Sequence, residues 1–313
     1  MKKWFVLLGA VGLCACAGVN KNTVSYQMSK YDPQDYYVIA GEGPNKQTAA
    51  ENALAAMRQN IEQNVPDVNM LPQQVEDLLA NAKIGKTWRD KSVKNPKRYF
   101  SLAVLKRSAG EKVLKGSAAE LDAQLGGLAA QLQATDDKFA GLRSAFAMEP
   151  LIVKRNILQD LYIFISQDRT GYEPERFAGY KKAYNDRLAA VKVMAVIRGE
   201  ENAVLLSRIT DAVNQMGLTV SEPGDETSLL SVEVDAQVDG YESERVKGLE
   251  WAATSAAVSL RDLQTAATFS RFNVHDRSGT GRRADSVRKS MESIGDKASV
   301  EIVQRLNAYL KTK

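Results

Sequence analysis

Apolar positions along the chain fall into blocks with different periods. Residues 36–43 (Tyr-Tyr-Val-Ile-Ala-Gly-Glu-Gly) form a short β-prone run ended by glycines, and residues 48–51 (Thr-Ala-Ala-Glu) have the form of a capping box that opens an alanine-rich helix. On that helix Ala50, Ala53, Leu54, Met57 and Ile61 recur at helical spacing, which predicts a narrow face of small side chains lying close against a sheet. A short helix over 72–82 and strands over 87–94 and 99–107 complete an N-terminal αβ module spanning residues 36–111.

From 112 to 190 the pattern is wholly helical. Ala118, Leu121, Leu125, Leu128 and Leu132 step alternately by three and four, a heptad seam of about two and a half repeats. Thr135, Asp136 and Asp137 make a turn, after which Phe139, Leu142 and Phe146 continue the alternation. Pro150 predicts a break or restart, followed by stripes of Val153, Ile157, Leu161 and Phe164, then of Phe177, Tyr180, Tyr184 and Leu188. An all-α hairpin or coiled coil is the expectation. So short a seam favours closure on the same chain over a parallel dimer, while a homo-oligomer formed through the hairpin stays open. Gly126 and Gly127 inside a helix hint at close approach by another backbone.

The last block, 191–313, reads as a second αβ module. A strand over 191–197 precedes a helix over 201–216 with Leu205, Ile209, Ala212 and Met216 inward and Gly217 as its stop. A short strand over 218–221 is followed by clean alternation of Leu230, Val232, Val234, Ala236 and Val238. Strands over 251–263 and 267–276 come next. A closing helix over 285–310 carries Val287, Met291, Ile294, Ala298, Ile302 and Leu306. The element order is similar to the small periplasmic αβ domains of TolB N-terminal and curli-channel lipoproteins, a likeness of fold alone. The predicted class is α+β or α/β: two small αβ modules joined by a helical hairpin.

The first residues carry an address. Lys2 and Lys3 precede an apolar stretch of about ten residues, too short to span a bilayer as a helix, and small residues follow it. Leu13-Cys14-Ala15-Cys16 matches the bacterial lipobox, in which cleavage after Ala15 exposes an acylated Cys16. Cys14 is the poorer candidate, because Leu13 would stand where a small residue is required. Residues 1–15 are therefore expected to be a lipoprotein signal peptide. Residues 16–35, polar and without apolar period, are expected to be an acylated flexible tether. As resemblance to bacterial lipoproteins implies, the anchor buries dozens of methylenes at about 0.8 kcal/mol each, which is effectively permanent. Ala17 and Gly18 stand where inner-membrane lipoproteins carry aspartate, which resembles lipoproteins passed on to the outer membrane; a body in the periplasm is expected over display at the surface, and the orientation stays open.

Composition narrows the chemistry. Of 313 residues, 44% are apolar and 26% charged, ordinary globular values. The 42 Lys and Arg against 38 Asp and Glu are spread along the chain, so nucleic acid is not an expected partner. Loss of Lys2 and Lys3 with the signal lowers the formal charge from +4 to +2. One histidine and two cysteines leave too little for a zinc site, a disulfide framework or a Cys/His pair, and no metal or cofactor is expected. Gly41-Glu42-Gly43 fails as a dinucleotide fingerprint, because Lys46 stands at the third glycine and Glu42 would face the pyrophosphate. His275-Asp276-Arg277-Ser278 is read as a strand end and turn, since adjacent residues cannot converge as a triad. Glu42 is the carboxylate best placed for a glycosidic role, though in no recognisable motif. Arg282, Arg283, Arg288 and Lys289 read as a solvated basic helix start.

The strand, Gly-Glu-Gly, alanine-rich helix and Tyr-Phe-Ser-Leu-Ala-Val-Leu strand within residues 36–107 resemble the LPP-twenty family of bacterial lipoproteins and the N-terminal domain of flagellar assembly protein T. The resemblance implies a compartment and a fold, and brings no catalytic residue. The expectation is a non-enzymatic lipoprotein anchored in the outer membrane, a scaffold or assembly factor for flagellar or other envelope machinery with an envelope protein as partner. Activation of a peptidoglycan synthase and carriage of a lipid or small ligand are the alternatives, and a peptidoglycan lytic enzyme the remotest.

Overall fold

The computed structural model describes residues 21–89, 98–199, 201–244 and 248–312. The signal segment, Cys14, Ala15, Cys16 and the start of the expected tether lie outside the described residues, as does most of the strand expected over 87–94. The fold is α+β, with two sheets, and divides into two compact units. One holds the described residues up to Ala118 together with Ile157–Tyr172. The other holds Ala119–Asn156 and the chain from Glu173 onward. The helical segment set apart as 112–190 is thus shared between the two.

In the first unit, strand β1 (Tyr36–Gly43) pairs antiparallel with β4 (Tyr99–Lys106), whose far side takes the two-residue strands β2 (Lys83–Ile84) and β3 (Trp88–Arg89). The run Phe100 to Leu105 is buried throughout, as befits a strand covered on both faces. One cover is helix α2 (Lys46–Asn64), which turns Ala49, Ala53, Met57 and Ile61 toward the sheet at a strict spacing of four. The narrow-face expectation holds, but its centre lies one position from Ala50 and Leu54. The capping box is corrected: Asn45 caps α2, its side chain accepting from the Thr48 N–H at 2.9 Å. Asparagine in extended backbone can cap as well as threonine, and here it does so one turn earlier. Gly41 and Gly43 belong to β1 itself. A Cβ on Gly41 would fall on the backbone of Ala53, and one on Gly43 would lie 2.6 Å from the Ala49 nitrogen, so glycine is what brings strand and helix backbones together.

The opposite face of this sheet packs Trp88, Phe100, Leu102 and Val104 against Val24, Met28, Tyr31, Tyr36 and Val38. Val24 and Met28 come from a five-residue helix, α1 (Val24–Met28), capped by Thr23. Asn22 accepts a hydrogen bond from the Trp88 indole at 2.7 Å. Residues 22–35, expected as tether, are therefore folded onto the sheet. Their apolar positions are too few for a periodic signal and gain their burial from side chains distant in sequence. Helix α3 (Pro72–Ala80), the first turns of α4 (Arg107–Ala134) and the last of α5 (Lys138–Ser166) complete the unit.

In the second unit, α4 and α5 run antiparallel, with Gln131 bonded to Ser144 and Asp122 to Arg155. The buried stripe of α4 is Ala118, Asp122, Leu125, Ala129 and Leu132, so Leu121 and Leu128 flank the seam instead of forming it. Helix α5 runs through Pro150, which is exposed, and the expected break does not occur. Its inward residues are Leu142, Ala145, Met148 and Ile152, while Val153 is exposed. Gly126 admits the phenol of Tyr180, not a backbone, from helix α6 (Pro174–Ala189).

The five-stranded sheet has the order β6-β5-β7-β8-β9: β6 (Thr219–Ser221), β5 (Lys192–Gly199), β7 (Leu230–Glu244), β8 (Leu249–Asp262) and β9 (Thr268–Thr280). Strand β5 is parallel to both neighbours, and the other pairings are antiparallel. Helices α7 (Asn202–Gln215) and α8 (Arg283–Thr312) pack together on one face. The periodic residues of α8, from Val287 to Leu306, are buried as the pattern predicts, and Gly217, with φ of 80°, ends α7.

Candidate functional site

Neither the Gly-Glu-Gly run nor the His-Asp-Arg-Ser run assembles a reactive site. Glu42 sits opposite Phe100 in the β1–β4 register, and its half-exposed carboxylate is ion-paired with Arg98. His275-Asp276-Arg277-Ser278 lies within β9 and is not the strand end and turn expected. The antiparallel register with β8 continues through all four residues to Thr280. Strand alternation sends Asp276 and Ser278 toward α8 and leaves His275 and Arg277 exposed. Asp276 takes Lys297 Nζ at 2.6 Å, Ser278 Oγ at 3.0 Å and Ser290 Oγ at 3.3 Å. Burial raises the pKa of this carboxyl, but bonds from Lys297, Ser293 and Ser278 together with the lysine charge outweigh it and hold the group below its usual range. Thr254 joins the same network through Ser290 at 2.6 Å, so the cluster fastens α8 to the sheet. At the basic helix start, Arg283 pairs with Glu250 and Arg288 with Glu292. Among the described residues, no group of three or more His, Cys, Asp or Glu could hold a metal ion, and no helix is long and apolar enough to cross a membrane.

Two arginines that periodicity passes over are more informative. Arg155 is fully buried and shares Nε and Nη2 with both oxygens of Asp122, itself 1% exposed, at 3.0 and 3.4 Å. Phe177 lies 5.0 Å from the guanidinium. The signal is positional: Asp122 falls four residues after Ala118 and three before Leu125, so it occupies the apolar stripe itself.

Arg107 stands where β4 becomes α4 and is 7% exposed. Its backbone N–H donates to Asp35 O at 2.8 Å, and its Nε to Pro33 O at 2.8 Å. Nη1 donates to the carbonyls of Phe164 and Ile165. The guanidinium lies 5.9 Å from the ring centre of Tyr37, whose phenol donates to Asn60 Oδ1 at 2.7 Å. Burial pushes the Tyr37 phenol far above its ordinary pKa, against the opposing pull of Arg107, and burial lowers that of Arg107. Among the described residues no carboxylate lies within ion-pair distance of Arg107, and Nη2 makes no hydrogen bond. Arg107 borders a cleft of about 820 Å³ walled by Met28, Tyr31, Tyr36 and Val38, with Lys30 and Asp32 at its rim. Nothing in the strand pattern distinguishes Arg107 from any cation ending a strand. Its isolation from acids emerges only from the fold.

No family model matches the chain, and no curated protein matches it. Solved structures similar to it include a secreted protein of Helicobacter pylori, 15% identical, covering 84% of this chain and 97% of that one with a TM-score of 0.38. A putative lipoprotein from Caulobacter crescentus is 11% identical over 40% of this chain and 96% of its own, with a TM-score of 0.30. A minor lipoprotein from Acinetobacter baumannii is 10% identical over 39% and 94%, also with a TM-score of 0.30.

Proposed function

We propose that the protein is a non-enzymatic lipoprotein of the bacterial envelope, held by acyl chains on Cys16 at the outer membrane, whose folded units act as a scaffold or assembly factor in the periplasm. The observation that carries this reading is the Leu13-Cys14-Ala15-Cys16 lipobox behind its lysine-headed apolar stretch. A permanent anchor turns weak binding of an envelope partner into an encounter at high local concentration, so strong affinity is not needed. The edges of small sheets suit such work. Strand β9, 13 residues long, pairs along one side with β8, and Arg271 and Asn273 on it are exposed, so its outer edge can accept a partner strand. Flagellar or other outer-membrane-associated assembly is the specific role that the resemblance of residues 36–107 favours.

Two measurements test this. Cys16→Ser abolishes incorporation of labelled palmitate and releases the chain from membranes, and retained label overturns the anchor. A photo-crosslinking residue at Asn273, in the full chain in its own host, captures an envelope component in fixed ratio. Recovery of uncrosslinked protein alone counts against the scaffold.

A further inference from the structure

Taking a guanidinium out of water costs several kcal/mol unless a counter-charge or a full set of hydrogen bonds replaces its hydration. Arg155 meets that requirement with Asp122. Arg107, 7% exposed, bonds through its side chain only to the carbonyls of Pro33, Phe164 and Ile165 among the described residues, and its Nη2 is open to the cleft. Carbonyl oxygens orient the fork without neutralising it. The side chain therefore borders its cleft as a positioned cation whose charge is uncompensated. At the rim Lys30, whose Nζ donates to Gln27 Oε1 at 3.0 Å and lies 5.0 Å from the ring centre of Tyr26, adds a second positive group and Asp32 a single negative one, leaving the charged lining one positive charge in excess. Around these stand apolar and aromatic walls: Tyr31 and Tyr36 edge to face at 5.5 Å, Met28 and Val38.

We propose that this cleft binds a phosphate anion, with Arg107 as its principal ligand and Lys30, on turning from Gln27, as the second. A guanidinium is the side chain whose planar donors best match phosphate oxygens. The apolar walls and the position in the chain favour a phospholipid headgroup as the source. Ser25, at the cleft, is nine residues from Cys16, a reach of at most about 30 Å. That choice of source rests on the Cys16 anchor proposed above. The anchor would then bring the cleft to the bilayer surface, and the headgroup would hold the first unit there in a defined orientation.

The test uses the full chain in non-ionic detergent, titrated with mixed micelles containing phosphatidylglycerol or diacylglycerol, and separately with inorganic phosphate at constant ionic strength. The readout is the thermal midpoint. Phosphatidylglycerol is expected to raise the midpoint and diacylglycerol, which lacks the phosphate, to leave it unchanged. Apparent affinity should fall at least about tenfold in Arg107→Lys, the loss of one charged hydrogen bond. Arg107 also ties down three carbonyls, so Lys30→Gln, on an exposed side chain, is the second variant, with a smaller loss and an unchanged midpoint without lipid. Equal midpoints with phosphatidylglycerol and with phosphate-free diacylglycerol, or a phosphatidylglycerol response untouched in both variants, overturns the proposal. A response to inorganic phosphate with none to phosphatidylglycerol overturns the headgroup as source. The same titration on Cys16→Ser separates this site from the anchor: the lipid response persists there, while palmitate labelling alone reports on Cys16.

Discussion

The two units handle a buried arginine in opposite ways. In the second unit Arg155 faces Asp122 across two helices, inside a core of leucine, alanine and phenylalanine, and the pair is closed off from solvent. In the first, Arg107 is held by backbone carbonyls at the end of a small sheet and keeps one nitrogen unbonded beside a cleft. Both side chains are largely buried, yet only one is neutralised by an acid. A neutralised buried cation specifies which helices meet and in what register. An uncompensated one at a cavity wall is what an anionic ligand needs. Burial by itself therefore does not separate structural charge from functional charge; the identity of the partner does.

The same contrast extends to packing. The second unit interdigitates side chains of ordinary size, whereas the first brings β1 and α2 together through glycine and alanine, backbone against backbone. Removing a group is the damaging change in one, and adding a methyl in the other.

The largest expected effect is in the ion pair. Asp122→Ala leaves Arg155 as an uncompensated buried charge and should cost about 3–5 kcal/mol of unfolding free energy in urea, whereas replacing both partners by leucine and methionine should recover most of it. If the single and double variants are equally unstable, the pair is not what sets apart the second unit. Gly41→Ala comes next at about 3 kcal/mol, because the new methyl meets the backbone of Ala53, which cannot rotate away. A tolerated alanine there would refute the close approach of β1 and α2. Asn45→Ala should cost about 1 kcal/mol and Thr48→Ala almost nothing, which distinguishes the observed cap from the capping box read in the sequence.

A smaller effect is titrated away in acid. The Thr227 hydroxyl and Lys192 hold the Asp225 carboxyl down to about 2, below its ordinary value of 3.8. A lowered value in the folded state means that the contribution is complete above about pH 4 and disappears as pH falls toward 2. Asp225→Asn should lower stability slightly at neutral pH and flatten that part of an acid-denaturation curve, the two proteins converging near pH 2; an unaltered curve would remove Asp225 from the account. Smallest of all, Glu42→Gln breaks an exposed pair with Arg98 and should shift stability by less than about 1 kcal/mol. Release of muropeptides from purified sacculi by the unmodified chain, lost in Glu42→Gln, would overturn the non-enzymatic reading.

Much of the second unit was legible in the chain because its elements are long. Alternation from Leu230 to Val238 and the stripe from Val287 to Leu306 each repeat enough times for the period to be unambiguous, and both stand where the pattern placed them. Pro150 misled because its local cost is real but is outweighed once α5 is buried on one side with the proline on the other. Leu121 and Leu128 misled for the opposite reason: hydrophobicity marked the seam one position away from a stripe that contains an aspartate. The signal that would have found Asp122 is the stripe's geometry, read without regard to residue type.

By itself the sequence determined the α+β class, the order of most elements, the inward faces of α8 and β7, and the lysine-headed lipobox, because each is written in residues adjacent along the chain or repeating at a fixed period. Only the tertiary structure decided that Asp122 meets Arg155, that residues 22–35 fold onto the first sheet, and that Arg107 lies among carbonyls without an acid. Those are properties of which distant segments come together, and electrostatic compensation is set by distances in space that no local pattern encodes.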